Sequence, residues 1–241
     1  MVLPRPCVLA LLVPVLGVLL AGCVVTVGAG QDARPEPAVG LPGAARAADA
    51  LAGLRRTERH PDVPDYRRDA FGSAWADTDG NGCNQRDDVL LRDALDQPPV
   101  RVAQQGRCDH DVLAGAWRDP YTGRDLVMSD LKDPRQSVEV QIDHVVPLAE
   151  AWLSGAWRWS AQRRRDYAND LANLLAVDGP ANASKGADDP AAWRPRQAFQ
   201  CDYARRWIAV KSRWDLAVDD SEARALGELL GRCPGTTKAP G

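Results

Sequence analysis

The chain has 241 residues, enough for one ordinary domain with extensions, and its formal charge of −3 excludes a globally basic protein. Charge is uneven, however. Between Arg158 and Trp214 there are eleven basic against six acidic residues, which suits a polyanionic partner as well as ordinary solvated helix faces.

The first residues read as an export signal. Arg5 supplies a positive start and Val8 to Leu20 is a short apolar run, too short for a comfortable membrane span. The run ends in Leu20-Ala21-Gly22-Cys23, which resembles a bacterial lipobox and makes Cys23 the expected lipid-bearing first residue of the mature chain. Residues 1–22 are thus expected to be a lipoprotein-type signal peptide. Residues 23–64, rich in Ala, Gly, Pro and charge, are expected to be a flexible tether. Ala44 to Arg56 can form a short helix within it, and His60 reads as a solvent-exposed linker residue.

The domain is expected over 65–235, with a disordered tail at 236–241. Asp87 to Leu95 has helical spacing, with Val89, Leu90, Leu91 and Leu95 as core candidates. Ala116 to Met128 reads as strand, Asp-Pro-Tyr-Thr-Gly turn, strand. Ser137 to Ile142 alternates and is strand-like. Pro147 can open a helix in which Leu148, Ala151 and Trp152 share a face, and Ser160 can cap a helix over Ala161 to Ala168. Asn173 to Val177 is a short strand, and Pro180 to Gly186 a short helix opened by proline. Cys201 to Trp214 is an amphipathic helix with Tyr203, Trp207, Val210 and Trp214 on one stripe, read as core packing. Ser221 to Leu230 is a last helix. There is no internal repeat.

Of six cysteines, Cys7 lies in the signal and Cys23 at its end. Cys83, Cys108, Cys201 and Cys233 remain, and four cysteines admit three pairings. The sequence-near pairing, Cys83 with Cys108 and Cys201 with Cys233, is expected, each closure being worth about 3 kcal/mol in the loop-entropy picture. A four-cysteine zinc site is the alternative, and it lacks any Cys-x-x-Cys spacing.

The chemistry centres on VQIDHVVPLAEAW, Val140 to Trp152. Asp143 and His144 leave a strand end, where neighbouring side chains point to opposite faces. A second strand begins near Asn173, and the following helix carries Asn182 and Lys185 on one face. Phosphodiester hydrolysis needs a base to deprotonate water, and histidine suits that at neutral pH. It also needs a divalent cation against the developing charge. Mg²⁺ takes oxygen ligands, which the Asp143 carboxylate and the Asn182 amide can supply. Asn173 can orient the base, and Lys185 can meet a phosphate or a carboxylate.

These residues resemble a family. The order D-H-x-x-P-L, N-L, N-x-x-K-G looks like that of the HNH, or ββα-metal, endonucleases. The wider stretches ANDLANLLAV, GPANASKG, DPAAW and CDYARRWIAVKSRW resemble exported bacterial HNH proteins related to the C-terminal domain of GmrSD-type restriction enzymes, over roughly Tyr66 to Cys233. The resemblance implies an α+β fold: a ββα-metal core surrounded by helices and stapled by two disulfides. It implies His144 as general base, Asp143 and Asn182 as ligands of one Mg²⁺ or Mn²⁺ ion, Asn173 as the residue positioning the histidine loop, and Lys185 as the lysine that follows. Arg86 matches an arginine of the same family and is expected to reach the site as a phosphate clamp. The chain departs from the archetype in lacking paired Cys-x-x-Cys knuckles, and the insertion between His144 and Asn182 is long.

Other signals are weaker. Asp77, Asp79, Asn81, Gly82 and Asp88 fall at the spacing of a calcium loop, although Asp stands at the twelfth position and Cys83 lies inside it. Plain Asx-Gly turns are the preferred reading, with Ca²⁺ the alternative. His110 reads as a surface residue, Asn169 and Asp170 as a helix C-cap or supports of the site, and Arg163 to Arg165 as a solvated face that could also track a phosphate backbone. Trp152, Trp157, Trp159, Trp193, Trp207 and Trp214 read as core.

The expected protein is an exported, metal-dependent HNH endonuclease, anchored by lipid at Cys23 to the outer face of a bacterial membrane or secreted. It is expected to be monomeric and to act on nucleic acid, DNA before RNA. The alternative is a non-catalytic cell-surface lipoprotein module on the same scaffold. A cell-wall hydrolase would need a carboxylate pair or zinc spacing, and no zinc spacing occurs.

Overall fold

The computed structural model describes residues 40–58 and 63–234. The signal segment, Cys7, the lipid site at Cys23, His60 and the tail at 236–241 lie outside the described residues. Helix α1 (Ala44–Gly53) buries Ala47 and Leu51, one turn apart, and with Leu54 they enter the main core. Just before it, Arg205 donates to the carbonyls of Leu41 at 2.8 Å and Pro42 at 2.6 Å. Beyond it, Thr57 N donates to the Val218 carbonyl at 3.0 Å. The tether expected over 23–64 therefore stops short. Residues 41–57 belong to the fold, because a face of small residues lets a helix lie close against its neighbours even though its composition looks like that of a linker.

A 3₁₀ turn at Arg68–Phe71 leads to α2 (Gln85–Asp93), capped by the Asn84 side chain accepting from the amides of Arg86 and Asp87. Val89 and Leu90 are buried as expected, whereas Leu91 and Leu95 are half-buried. Strands β1 (Arg101–Gln105), β2 (Cys108–Arg118) and β3 (Asp125–Met128) form an antiparallel sheet in that order. The expected hairpin is its β2–β3 half. β1 has no buried face, so alternation could not announce it. Both expected disulfides are present, Cys83–Cys108 and Cys201–Cys233, which rules out the four-cysteine zinc site.

Pro134 opens a helical turn, α3 (Pro134–Ser137), whose cap is the Asp133 carboxylate accepting from Arg135 N. That turn takes the start of the strand expected from Ser137, and β4 runs Val140–His144. His144 is thus the last strand residue. After α4 (Leu148–Leu153) comes α5 (Ala161–Ala168), capped by Ser160 as expected. Strand β5 (Leu174–Asp178) pairs antiparallel with β4 and runs directly into α6 (Gly179–Lys185). Helices α7 (Gln200–Trp214) and α8 (Asp220–Leu230) close the chain, and α1 packs on both.

The β4–β5 ribbon lies between two cores. Val140, Ile142, Leu174 and Ala176 face α2 and the three-stranded sheet; Leu175 and Val177 face the helices. The helical core holds Tyr203 and Trp207 on the expected stripe of α7, and each of the six tryptophans expected in the core packs in or against it. Gly179 is required at the ribbon's exit. A Cβ there would lie 2.1 Å from the Val138 carbonyl, so α6 starts pressed against the chain that enters β4.

Candidate active site at the end of the β4–β5 ribbon

Cross-strand register explains where the two key side chains go. Asp143 pairs with Leu175 and His144 with Leu174, so Asp143 points to the helical core and His144 to the opposite face. His144 Nε2 lies 2.8 Å from the carbonyl of Ala168, the last residue of α5. A carbonyl only accepts, so Nε2 carries the proton and Nδ1 keeps a lone pair. Burial drives the His144 pKa down to about 4; the Ala168 carbonyl opposes this, and the charges of Arg68 and Lys185 reinforce it. At neutral pH the imidazole is uncharged and able to take a proton.

Asn173 fixes the loop that follows. Its Oδ1 accepts from Val146 N at 2.9 Å, its Nδ2 donates to the Val146 carbonyl at 3.2 Å, and its own carbonyl accepts from Val145 N at 2.7 Å. Tyr167 donates to the Val146 carbonyl as well, at 2.7 Å. The residue is wholly buried, so these bonds have no competition from water.

Lys185 is also wholly buried and meets a carboxylate. Its Nζ lies 2.9 Å from Asp143 Oδ2 and 3.1 Å from Oδ1, and donates to the His144 carbonyl at 2.9 Å. Tyr121 donates its hydroxyl to Asp143 Oδ2 at 2.5 Å. Burial pushes the Asp143 carboxyl up and the Lys185 ammonium down, and their mutual attraction opposes both shifts. Tyr121 was not anticipated. It sits in a turn shaped by Asp119, whose carboxylate accepts from the Tyr121 and Thr122 amides, and such a turn gives no local hint of a partner at Asp143.

Asn182, on α6, donates its Nδ2 to Gln141 Oε1 at 2.9 Å, and no donor among the described residues reaches its Oδ1. Asp143, His144 and Asn182 border one cavity of about 300 Å³, together with Tyr66, Arg68 and Leu148. Its oxygen donors, a carboxylate and an amide carbonyl, have the hard character that Mg²⁺ or Mn²⁺ selects. The tightest group of metal-type side chains among the described residues lies elsewhere, at Cys83, Cys108 and His110, and its two sulfurs are joined to each other.

Arg86 is not brought to this cavity. Its guanidinium is half-buried and donates to the Val140 carbonyl at 3.3 Å, at the far end of β4 from His144. His110, read from sequence as a surface residue, is half-buried and bridges Asp88 at 2.7 Å and Asp109 at 2.6 Å. In the 77–88 loop, the Asp77 carboxylate accepts from the amides of Gly80 and Gly82, and Asp79 accepts from Asn81, as Asx turns do. Asp88 is buried between Asn81 and His110. Asn169 caps α5 and its Oδ1 accepts from Ala76 N at 2.9 Å. Asp170 caps the next turn and accepts from Trp214 Nε1 at 2.7 Å. In the arginine run, Arg163 lies over Trp159 and Arg164 donates to the Ala70 carbonyl, so these two serve packing.

The strand–strand–helix unit and its polar cluster lie within a span that known proteins share. Residues 84–229 match the model of the family "GmrSD restriction endonucleases, C-terminal domain". That is more than half of the chain, and the chain belongs to this family. An "Uncharacterized secreted protein" of the fungus Arthroderma benhamiae is 38% identical over 212 residues, covering 87% of this chain and 95% of the relative. The expected likeness to exported bacterial proteins thus extends to a fungal one. No solved structure matches.

Proposed function

We propose that the protein is an exported endonuclease of the HNH type that hydrolyses phosphodiester bonds in nucleic acid, DNA before RNA. The observation that carries this reading is the state of His144. Its Nε2–H is committed to the Ala168 carbonyl, no described residue hydrogen-bonds its Nδ1, and it borders the same cavity as Asp143 and Asn182.

His144 takes the proton of an attacking water at Nδ1. Asn173 keeps the histidine loop in register, and the Ala168 carbonyl prevents the ring from flipping. The negative phosphate entering the cavity favours the protonated imidazole, offsetting the depressed pKa as the proton arrives. Asp143 and Asn182 would hold one Mg²⁺ or Mn²⁺ ion, which when bound neutralises charge on the phosphate and the leaving oxygen. Lys185 and Tyr121 orient the Asp143 carboxylate and hold it in the cavity wall.

Membership of a restriction-endonuclease domain family supports the nuclease class. The relative's description as secreted, together with two disulfides, supports export. Lipid attachment at Cys23, to the outer face of a membrane, and a monomeric state are parts of the same proposal.

The test incubates the full chain, disulfides oxidised, with supercoiled plasmid and with RNA in Mg²⁺, Mn²⁺ or EDTA, beside His144→Ala. Cleavage that requires metal and is lost in the variant is the expected result, and the polymer cut names the substrate. A folded chain that cuts neither polymer in either metal would sink the nuclease reading and favour a binding module.

A further inference from the structure

His144 borders a second cavity, of about 380 Å³, which the mechanism above does not use. Its wall includes Arg68, Phe71, Gly72, Trp75 and Asn169, and Arg68 and Leu148 line both cavities. Most of this wall comes from residues 68–75, which precede the span of the family match.

Three observations single out this segment. First, Arg68 is exposed, and no carboxylate of the described residues pairs with it, whereas its neighbour Arg67 is paired with Asp69. A guanidinium that meets the Tyr66 hydroxyl but no carboxylate among the described residues, beside a candidate phosphodiesterase centre in a chain of net charge −3, is a local attractor for anions. Second, the Trp75 indole stacks on the His144 imidazole, with centroids 6.0 Å apart and planes 13° from parallel. Trp75 holds a left-handed backbone, φ 56°, rare for a bulky residue and typical of positions retained for a site. Third, the segment is anchored to α5, the helix that orients His144. Arg164 Nε donates to the Ala70 carbonyl at 2.9 Å, Ala76 N donates to Asn169 at 2.9 Å, and the Arg165 stem lies over Gly72. One helix therefore sets both the base and this wall.

We propose that the second cavity is a nucleotide subsite of the active site, in which Arg68 binds a strand phosphate next to the scissile one and Trp75 provides a surface for the adjoining base. A planar guanidinium fork matches phosphate oxygens, and aromatic rings take bases with little regard to sequence. The cavity's volume lies within the range of small-ligand sites, about 300–1,000 Å³. The inference rests on the nuclease reading and extends it. The phosphate-binding arginine is Arg68, which borders His144, in place of the Arg86 that the sequence suggested.

The test reads binding, separately from turnover. In EDTA, labelled DNA and RNA oligonucleotides are titrated with the full chain and with Arg68→Ala, Arg68→Lys, Trp75→Ala and Trp75→Phe, each across a range of salt concentrations. Thermal melts verify folding. Arg68→Ala is expected to weaken binding about tenfold and to reduce the slope of log affinity against log salt by about 0.7–0.9, one phosphate contact, while Arg68→Lys keeps the slope. Trp75→Ala is expected to weaken binding about tenfold with the slope unchanged, and Trp75→Phe to retain most of the affinity. If the wild type binds and Arg68→Ala matches it in affinity and slope, the subsite is wrong while the nuclease reading stands. If the wild-type chain binds no nucleic acid in EDTA, the subsite is wrong, and cleavage in Mg²⁺ or Mn²⁺ decides the nuclease reading separately.

Discussion

Lys185 Nζ lies 2.9 Å from Asp143 Oδ2 and also donates to the His144 carbonyl, so the last residue of α6 is tied to both site residues at the end of β4. All three groups are buried, so the pair orients the carboxylate and at the same time holds strand to helix.

Removing one partner is therefore costlier than removing both. Lys185→Met leaves a buried carboxylate without its cation, held by Tyr121 and a backbone amide alone among the described residues, and should destabilise the protein by about 3–5 kcal/mol. Lys185→Met combined with Asp143→Asn should recover much of that stability but no activity. Denaturant midpoints for the two single variants and the double variant check this; a purely additive cycle would contradict it.

Asn173→Ala deletes both side-chain bonds to Val146, leaving the buried Val146 N–H without its acceptor while the carbonyl keeps the Tyr167 hydroxyl. A loss of about 1–3 kcal/mol is expected. Because the histidine loop shifts without touching substrate, kcat should fall while KM changes little. Steady-state kinetics on whichever polymer is cut reads this directly, and a rise in KM alone would argue against a positioning role.

A second buried charge cluster predicts a pH dependence. Lys211 Nζ contacts Glu150 at 2.8 Å and Glu222 at 2.5 Å, and also donates to the Ser154 hydroxyl at 2.9 Å and the Ala217 carbonyl at 2.8 Å. Burial pushes the Glu222 carboxyl up from 4.5 to about 7; Lys211 opposes the shift and Glu150 adds to it. Folded protein thus holds a proton that the unfolded chain has already released. The associated stability is full below pH 4.5 and is lost progressively as pH rises toward 7. Glu222→Gln should flatten the stability profile between those limits, and an unchanged slope would count against this assignment.

Truncation at Asp65 removes α1. Its buried Leu51 and the following Leu54 are each worth about 1.5–3 kcal/mol, so melting should fall by roughly 10 °C. A truncated domain melting with the full chain would show that α1 is only laid on the surface.

Much of this was legible because it is local. Ser160 capping α5, Pro180 inside the first turn of α6 and the aromatic stripe of α7 all announce themselves within a few residues. The β4–β5–α6 unit was likewise readable from two apolar runs and a Gly-Pro start. Long-range relationships were not. Tyr121 reaches Asp143, and the 68–76 segment reaches α5 over more than ninety positions, with no spacing rule to mark either. Composition also misled. Alanines suited to close helix contact read as a linker at α1, and Arg86 carried a family resemblance but turned its guanidinium to a strand carbonyl.

The grip of Arg205 on the Leu41 and Pro42 carbonyls has a mechanical consequence. Tension applied from the N-terminal side enters the folded body at α1 and is resisted by its seat on α7 and α8. Were the chain held to a surface through its N-terminal segment, a pull on that segment would be borne by the α1 seat on α7 and α8.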